Sequence, residues 1–301
     1  MKRLQIRNSC LLFVAAFIWG TAFVAQSVGM DYIGPFTFSA ARSLIGSAFL
    51  APCIFILDKW KITQGKKQCE DKKELVKGGI VCGIVIFIAA NLQQAALLYA
   101  SVGKSGFLTA LYIVIVPLIG VLAGKRPGKK LCVSVVCAVT GLYLLCMKSG
   151  SYALGFGDIL LLLSAVMFSM HILVIDHYTQ RTDGVKLSCI QFLVGGVLSA
   201  VIMFLFETPS FAELSAAKGP LLYTGVLSSG IAYTLQIVGQ KGMNPVIASL
   251  IMSLESVISA LAGWAVLGER LSGRELLGCV IMFAAIILAQ LPEKRKEEAC
   301  C

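Results

Sequence analysis

The chain has 301 residues, of which 57% are hydrophobic and 14% are charged, and its mean hydropathy is +0.85. This composition excludes a soluble globular protein, because there are too few polar side chains to cover the surface of a folded chain of this size. The net charge of +10 would be typical of a nucleic-acid-binding protein, but the basic residues lie between long apolar segments. They therefore indicate orientation in a membrane, and we expect no nucleic-acid partner.

Ten apolar segments follow one another along the chain. Each has a length close to that of a helix that crosses the hydrocarbon core, which takes about 20 residues for about 30 Å. We therefore predict an all-α polytopic membrane protein with ten transmembrane helices and the lipid bilayer as its solvent. The predicted spans are residues 8–28, 35–57, 78–99, 104–124, 130–147, 156–176, 187–206, 219–239, 245–267 and 274–291.

The distribution of Lys and Arg predicts the orientation of these spans, because cytoplasmic segments carry an excess of both. With the N-terminus inside, twenty of the 26 basic residues fall in inner segments and five in outer segments. Only Arg42 lies within a span. We therefore predict a multi-pass protein of the cell membrane with both termini in the cytoplasm.

The second half of the chain repeats the first at a spacing of about 145 residues. Gly106–Lys125 aligns with Pro245–Trp264 through a shared Leu-Ala-Gly, and Gln94 aligns with Gln236. Five spans is an odd number, so the second repeat must enter the membrane upside down. Inverted repeats are typical of transporters whose solute site lies at the midplane between the halves. The predicted units are the repeats 1–148 and 149–292 and a cytoplasmic tail 293–301.

Two charged residues lie well inside predicted spans, away from the span ends, where a lipid-facing charge costs about 2.5 to 3.5 kcal/mol, so both are expected to face the bundle interior. Glu255, in the ninth span, is either a proton-coupling site or partner of a cationic solute, or a carboxyl group that joins two helices. Arg42, in the second span, either reaches the outer interface by snorkelling or holds an anionic group in a cavity.

Uncharged polar residues lie on two spans that the repeat makes equivalent. Asn91 and Gln94 are one turn apart on the third span, and Tyr233 and Gln236 share a face of the eighth. They suit an uncharged or zwitterionic solute. Hydrogen bonding between helices is the alternative, worth about 0.6 kcal/mol per pair.

Aromatic residues complete the predicted cavity. Trp19 and Phe23 on the first span and Tyr112 on the fourth either line it or only pack. His171, on the sixth span, is either a satisfied buried histidine or a proton relay. The two histidines of the chain lack metal-ligand spacing, so we predict no metal and no cofactor.

Several short stretches resemble a known family in their order and spacing. They are Trp19-Gly20-Thr21-Ala22-Phe23, Gly34-Pro35-Phe36 with Arg42, Gln93-Gln94, Gly106-Phe107-Leu108-Thr109-Ala110-Leu111-Tyr112 with Pro117, Gly157-Asp158, and Leu254-Glu255 with Leu267-Gly268-Glu269-Arg270-Leu271. Together they resemble the EamA domains of the drug/metabolite transporter superfamily over nearly the whole chain. The resemblance implies a ten-helix secondary carrier that moves a small organic solute, often outward, through a central cavity. The family commonly has Pro after the Glu of the ninth span, whereas this chain has Ser256, which removes the sequence signal for a kink there.

No hydrolase triad, phosphate-binding loop or dinucleotide fingerprint is present in the sequence, so we predict that the chain is not an enzyme. We predict a secondary transporter of small metabolites, such as amino acids or related compounds, that works by alternating access and is coupled to protons or a counter-solute. Export and the substrate class follow from the resemblance alone. The alternatives are a polyspecific exporter of drugs or cations, an integral-membrane enzyme, and a membrane scaffold without flux.

Overall fold

Helices make up all the regular structure that the computed structural model describes, which covers residues 2–63, 71–100, 102–124, 128–146, 155–267 and 272–290. The prediction of an all-α protein is confirmed for these residues. The helices are α1 (Lys2–Gly29), α2 (Pro35–Thr63), α3 (Lys72–Ala96), α4 (Val102–Thr109), α5 (Tyr112–Leu122), α6 (Lys129–Cys146), α7 (Phe156–Thr179), α8 (Gly184–Phe206), α9 (Phe211–Ala216), α10 (Lys218–Leu222), a π-helical segment (Tyr223–Ala232), α11 (Tyr233–Gln240), α12 (Pro245–Met252), α13 (Glu255–Leu267) and α14 (Gly273–Gln290).

Eight helices of the described residues are long and apolar enough to cross a membrane. They correspond to the first four and the sixth to ninth predicted spans, at Leu4–Gly29, Pro35–Trp60, Lys72–Ala96, Val102–Leu122, Phe156–Thr179, Gly184–Phe206, Lys218–Gln240 and Pro245–Val266. The chain is therefore a multi-pass membrane protein. The fifth and tenth predicted spans correspond to α6 and to α14, whose apolar part, Leu276–Ala289, is shorter.

Short polar residues fix the starts of several helices. The Asp71 carboxylate accepts hydrogen bonds from the backbone N–H groups of Lys73 and Glu74 at the start of α3, and Asp183 caps α8 in the same way. Asn244 caps α12, whose first residue is Pro245. These caps satisfy N–H groups that a helix leaves without partners in its first turn.

Two of the predicted spans are interrupted halfway along. The fourth breaks between α4 and α5, and the ninth breaks between α12 and α13 at Ser253 and Leu254. The second break forms without the proline that the family resemblance would supply. At this break the hydroxyl groups of Ser249 and Ser253 donate to the carbonyls of Val246 and Leu250, three residues back along the helix, at 2.9 and 2.8 Å.

The helices pack closely through glycine. Where α3 crosses α8, a Cβ on Gly83 would lie 2.6 Å from Val194 Cβ and 2.9 Å from the carbonyl oxygen of Gln191. A Cβ on Gly225, in the π-helical segment, would lie 2.6 Å from Ile45 Cγ2 of α2. In lipid, where there is little hydrophobic drive between helices, such close backbone approach stabilises helix pairs.

We predict that Gly83→Ala destabilises the protein by about 1 to 3 kcal/mol, because the added methyl group collides with backbone and a branched side chain. Gly120→Ala is the matched control, since a Cβ on Gly120 of α5 meets nothing within 4 Å, and its effect should stay within about 0.5 kcal/mol. Thermal unfolding of both variants in the same detergent measures the difference. Equal melting temperatures would contradict the packing described for α3 and α8.

Candidate functional site

A small cavity that opens to solvent lies between the helices of the bundle. Residues on both sides of the predicted repeat boundary line it. Seven of the ten residues predicted from the sequence are in its wall: Trp19, Phe23, Arg42, Tyr112, Tyr233, Gln236 and Glu255. The structure therefore brings together side chains that are up to 236 positions apart in the chain, from Trp19 to Glu255.

Arg42 is buried in the cavity wall, with 4% of its surface exposed. Its Nη1 donates to Gln26 Oε1 at 2.8 Å, while its Nε has no hydrogen-bond partner. No carboxylate of the described residues forms an ion pair with it. This burial does not fit the snorkelling interpretation, and it leaves a cation available to a ligand in the cavity.

Glu255 is also buried in the cavity wall, with 5% of its surface exposed. Its Oε1 accepts a hydrogen bond of 2.9 Å from the hydroxyl group of Tyr112. Since Tyr112 begins α5 and Glu255 begins α13, this bond joins the two interrupted helices where each resumes. The Ser256 hydroxyl donates to the Gly106 carbonyl at 2.9 Å and joins them a second time. Glu255 thus combines the helix-joining role with a position in the cavity.

Tyr233, in the cavity wall, is the centre of an aromatic cluster. Its ring lies 4.6 Å from the Trp19 ring, 5.1 Å from the Phe192 ring and 6.0 Å from the His171 ring, measured between centroids. Tyr233 is held on three sides, so it offers a fixed face to the cavity.

The other three predicted residues do not line the cavity. Asn91 donates to Ser199 Oγ of α8 at 2.8 Å, so it bonds two helices together. Gln94 is fully buried, and its Nε2 contacts the carbonyl oxygen of Gln26 at 3.5 Å. The rotation of α3 turns both residues toward neighbouring helices. Their contacts fit the second interpretation given for them, hydrogen bonding between helices, better than solute binding.

His171 lies behind Tyr233 and is fully buried. Its Nε2 is 3.0 Å from Gln191 Oε1 of α8, while Nδ1 has no partner. One ring nitrogen of the buried His171 is therefore hydrogen-bonded and the other is not, so the histidine is only partly satisfied.

Seven further residues of the wall were not predicted as site residues: Gln26, Gln93, Thr109, Phe168, Ile172, Ser228 and Met252. Gln26 had a readable signal, because Trp19, Phe23 and Gln26 repeat at helical spacing on one face of α1. Gln93 and Gln94 are adjacent, so only the rotation of α3 decides which one faces the cavity. Gln93 does so, and its Nε2 donates to Thr109 Oγ1 at 3.1 Å.

The described residues contain no group of three or more His, Cys, Asp or Glu side chains that could hold a metal ion. Among the residues that line the cavity, Arg42 and Glu255 carry the charged side chains. Together with the amides of Gln26, Gln93 and Gln236, they can bind a small polar molecule by charge and hydrogen bonds.

A bundle of apolar helices around a central polar cavity is the architecture of a membrane transporter. The family model of the EamA-like transporters matches the chain twice, at residues 7–147 and 155–291, so the chain belongs to this family.

Individual relatives agree with the family. An uncharacterized transporter of Archaeoglobus fulgidus is 30% identical over 93% of this chain and 84% of its own length. The uncharacterized transporter YoaV of Bacillus subtilis is 22% identical over 93% and 95% of the two chains. A chloroplastic WAT1-related protein of Arabidopsis thaliana is 25% identical over 92% of this chain and 68% of its own length.

A crystal structure with 18% sequence identity superimposes with a TM-score of 0.74 and covers 94% of this chain and 96% of the other. This likeness concerns the fold. The family membership and the named transporters among the relatives fit a protein that is not an enzyme.

We predict that a solute bound in the cavity changes the fluorescence of Trp19, because this indole lines the cavity and its Nε1 has no partner. The other two tryptophans, Trp60 and Trp264, are 60% and 55% exposed on the outside of the bundle. Titration of the Trp60→Phe/Trp264→Phe protein should keep the change seen with the unmodified protein, and Trp19→Phe should abolish it. A response that survives Trp19→Phe would place binding elsewhere.

Proposed function

We propose that the chain is a secondary transporter of the cell membrane that exports small polar metabolites, amino acids or related compounds, by alternating access. The observation that carries the proposal is the central cavity, in which residues from both halves of the chain present Arg42 and Glu255 to one space. The scaffold alternative gives no reason to bury unpaired polar groups around a cavity, since each costs free energy unless a ligand satisfies it. Transport would be driven by a proton gradient or by exchange with a counter-solute.

The proposed architecture is two inverted repeats of five helices, 1–148 and 149–292, followed by the cytoplasmic tail 293–301, which lies outside the described residues. The helix boundaries support it, because they recur at about 145 residues. The cap of α3 at Asp71 matches the start of α10 at Lys218, and the break after Thr109 matches the break after Met252. Matched by these helix boundaries, Tyr112 is equivalent to Glu255. This match is shifted by four residues from the sequence alignment through Leu-Ala-Gly.

The helix packing supports the same architecture. Helix α3 packs on α7, and the counterpart of this pair is α1 packed on the π-helical segment and α11. Helices α6 and α14, the proposed fifth and tenth spans, pack on each other. Exchange of the two halves converts the first of these contacts into the second and leaves the third unchanged, which is consistent with a twofold axis in the membrane plane.

The pair of α2 and α8 is fastened at both ends in a repeated way. At the proposed outer end, Glu207 accepts hydrogen bonds from the backbone N–H groups of Phe36 and Thr37, at 3.0 and 2.7 Å, in the first turn of α2. At the proposed inner end, Lys186 in the first turn of α8 pairs with Asp58 of α2 at 3.0 Å. We call these contacts the outer clasp and the inner clasp. Each one is a gate contact in the proposed cycle.

Arg42 also weighs against the polyspecific exporter of cations. Such a carrier needs an acidic group in an aromatic cavity, and Glu255 with Trp19 and Tyr233 would provide one. A second, positive group in the same cavity repels lipophilic cations.

Counterflow in proteoliposomes tests the function, with a mixture of unlabelled amino acids inside and a trace of the same mixture, radiolabelled, outside. We expect uptake by the purified protein, and we expect Glu255→Gln to reduce it at least about tenfold, the loss of one charged interaction worth about 1.4 kcal/mol. Glu213→Gln is the matched control, because Glu213 lies on the exposed helix α9 and Gln also completes the capping box with Ser210. No flux of any metabolite would contradict the proposal.

The clasps yield a second prediction, because they fasten opposite ends of α2 and α8. In a variant without the eleven native cysteines, Ser228→Cys puts a thiol into the cavity wall. Glu207→Gln should speed labelling of this thiol by a membrane-impermeant maleimide from the outside, and Asp58→Asn should speed it from the inside. Changes on the same side for both variants would contradict the gate roles.

A further inference from the structure

The cavity separates two opposite charges that do not pair with each other. Arg42 and Glu255 both line it, and neither forms an ion pair with a described residue. Each instead has one polar side-chain partner, Gln26 for Arg42 and Tyr112 for Glu255. A buried charge without a counter-charge is costly, so a ligand that supplies both counter-charges would be stabilised strongly.

The Arg42 side of the cavity offers hydrogen-bond donors. Arg42 Nε is buried without a partner, and Trp19 Nε1 is buried without a partner in the same wall. The free N–H edge of a guanidinium matches the oxygens of a carboxylate group.

Gln26 decides where the guanidinium lies. Its Oε1 holds Nη1 of Arg42 at 2.8 Å, and Gln94 contacts its backbone carbonyl from α3 at 3.5 Å. Gln26 is 4% exposed and itself lines the cavity. Because its oxygen occupies one end of the guanidinium, the Nε edge remains for a ligand.

The Glu255 side offers acceptors. Oε1 of Glu255 is occupied by the Tyr112 hydroxyl group, and Oε2 accepts no hydrogen bond from the described residues. Gln236 Oε1 lies in the same wall and is buried without a partner. A carboxylate and an amide oxygen match the N–H groups of an ammonium ion.

We infer that Gln26 and Arg42 form a carboxylate-binding subsite, with Gln26 as the positioning residue that sets its selectivity. Glu255 and Gln236 form the opposing ammonium subsite. The transported solute is therefore a small zwitterion, and a cation or an anion that engages one subsite alone binds more weakly. This inference rests on the proposed function and adds which residues bind each charged group of the solute.

Binding to the purified protein in detergent tests the subsites, with Trp19 fluorescence as the readout. The probes are the common L-amino acids, followed by the amide and the deaminated analogue of each amino acid that binds. The amide retains the ammonium group and the deaminated analogue retains the carboxylate. We expect the zwitterion to bind at least about tenfold more tightly than either analogue.

Two variants separate the carboxylate subsite from general damage. Arg42→Lys keeps the charge but removes the Nε edge, and Gln26→Leu removes the oxygen that holds Nη1. Both should lower affinity for the zwitterion about tenfold and leave affinity for the amide unchanged. The matched control is Gln180→Leu, at an exposed glutamine at the end of α7, which should change neither. A misfolded variant would lose both ligands equally, so the ratio of affinities reports on the subsite itself.

Each outcome decides a different claim. The inference is overturned when no zwitterion binds, when the amide binds as tightly as the amino acid, or when Arg42→Lys leaves their ratio unchanged. Counterflow of other solutes would then still support the transporter. Conversely, tight zwitterion binding with intact selectivity but no counterflow would support the subsites and overturn the proposed transport.

Discussion

Two opposite charges buried in an apolar bundle, and kept apart from each other, are the constraint on which the site depends. Arg42 and Glu255 are about 95% buried, yet each is held by a neutral side chain. In lipid such groups are costly, and they persist where they face a functional cavity. The aromatic wall around Tyr233 and the close helix packing on either side keep that cavity narrow and its polar groups in fixed positions.

The interrupted helices place these groups. Because α5 begins at Tyr112 and α13 begins at Glu255, the hydrogen bond between them connects the two points at which the spans change direction. A backbone break in a membrane is tolerated when buried neighbours satisfy its polar groups, as Ser249 and Ser253 do here for α12. Because Tyr112 and Glu255 also line the cavity, the junction of the two broken helices forms part of the cavity wall.

The sequence predicted much of the fold because long apolar runs and capping residues are local signals. Arg42 and Glu255 could be predicted as cavity residues because a charge within a span has few other places to go. The rotation of a helix about its axis is not predictable from composition. The sequence therefore favoured Gln94 as the cavity residue, whereas Gln93 lines the cavity in the structure. The break at Ser253 was not predictable, since the expected signal was a proline and this chain has Ser256 at that position.

A structure determined with a transported solute bound tests the central claim most directly. The account predicts solute density between Arg42 and Glu255, in contact with residues of both halves of the chain, with Gln26 still bonded to the guanidinium. Density at any other position, or a direct ion pair between Arg42 and Glu255 beside an empty cavity, would contradict it.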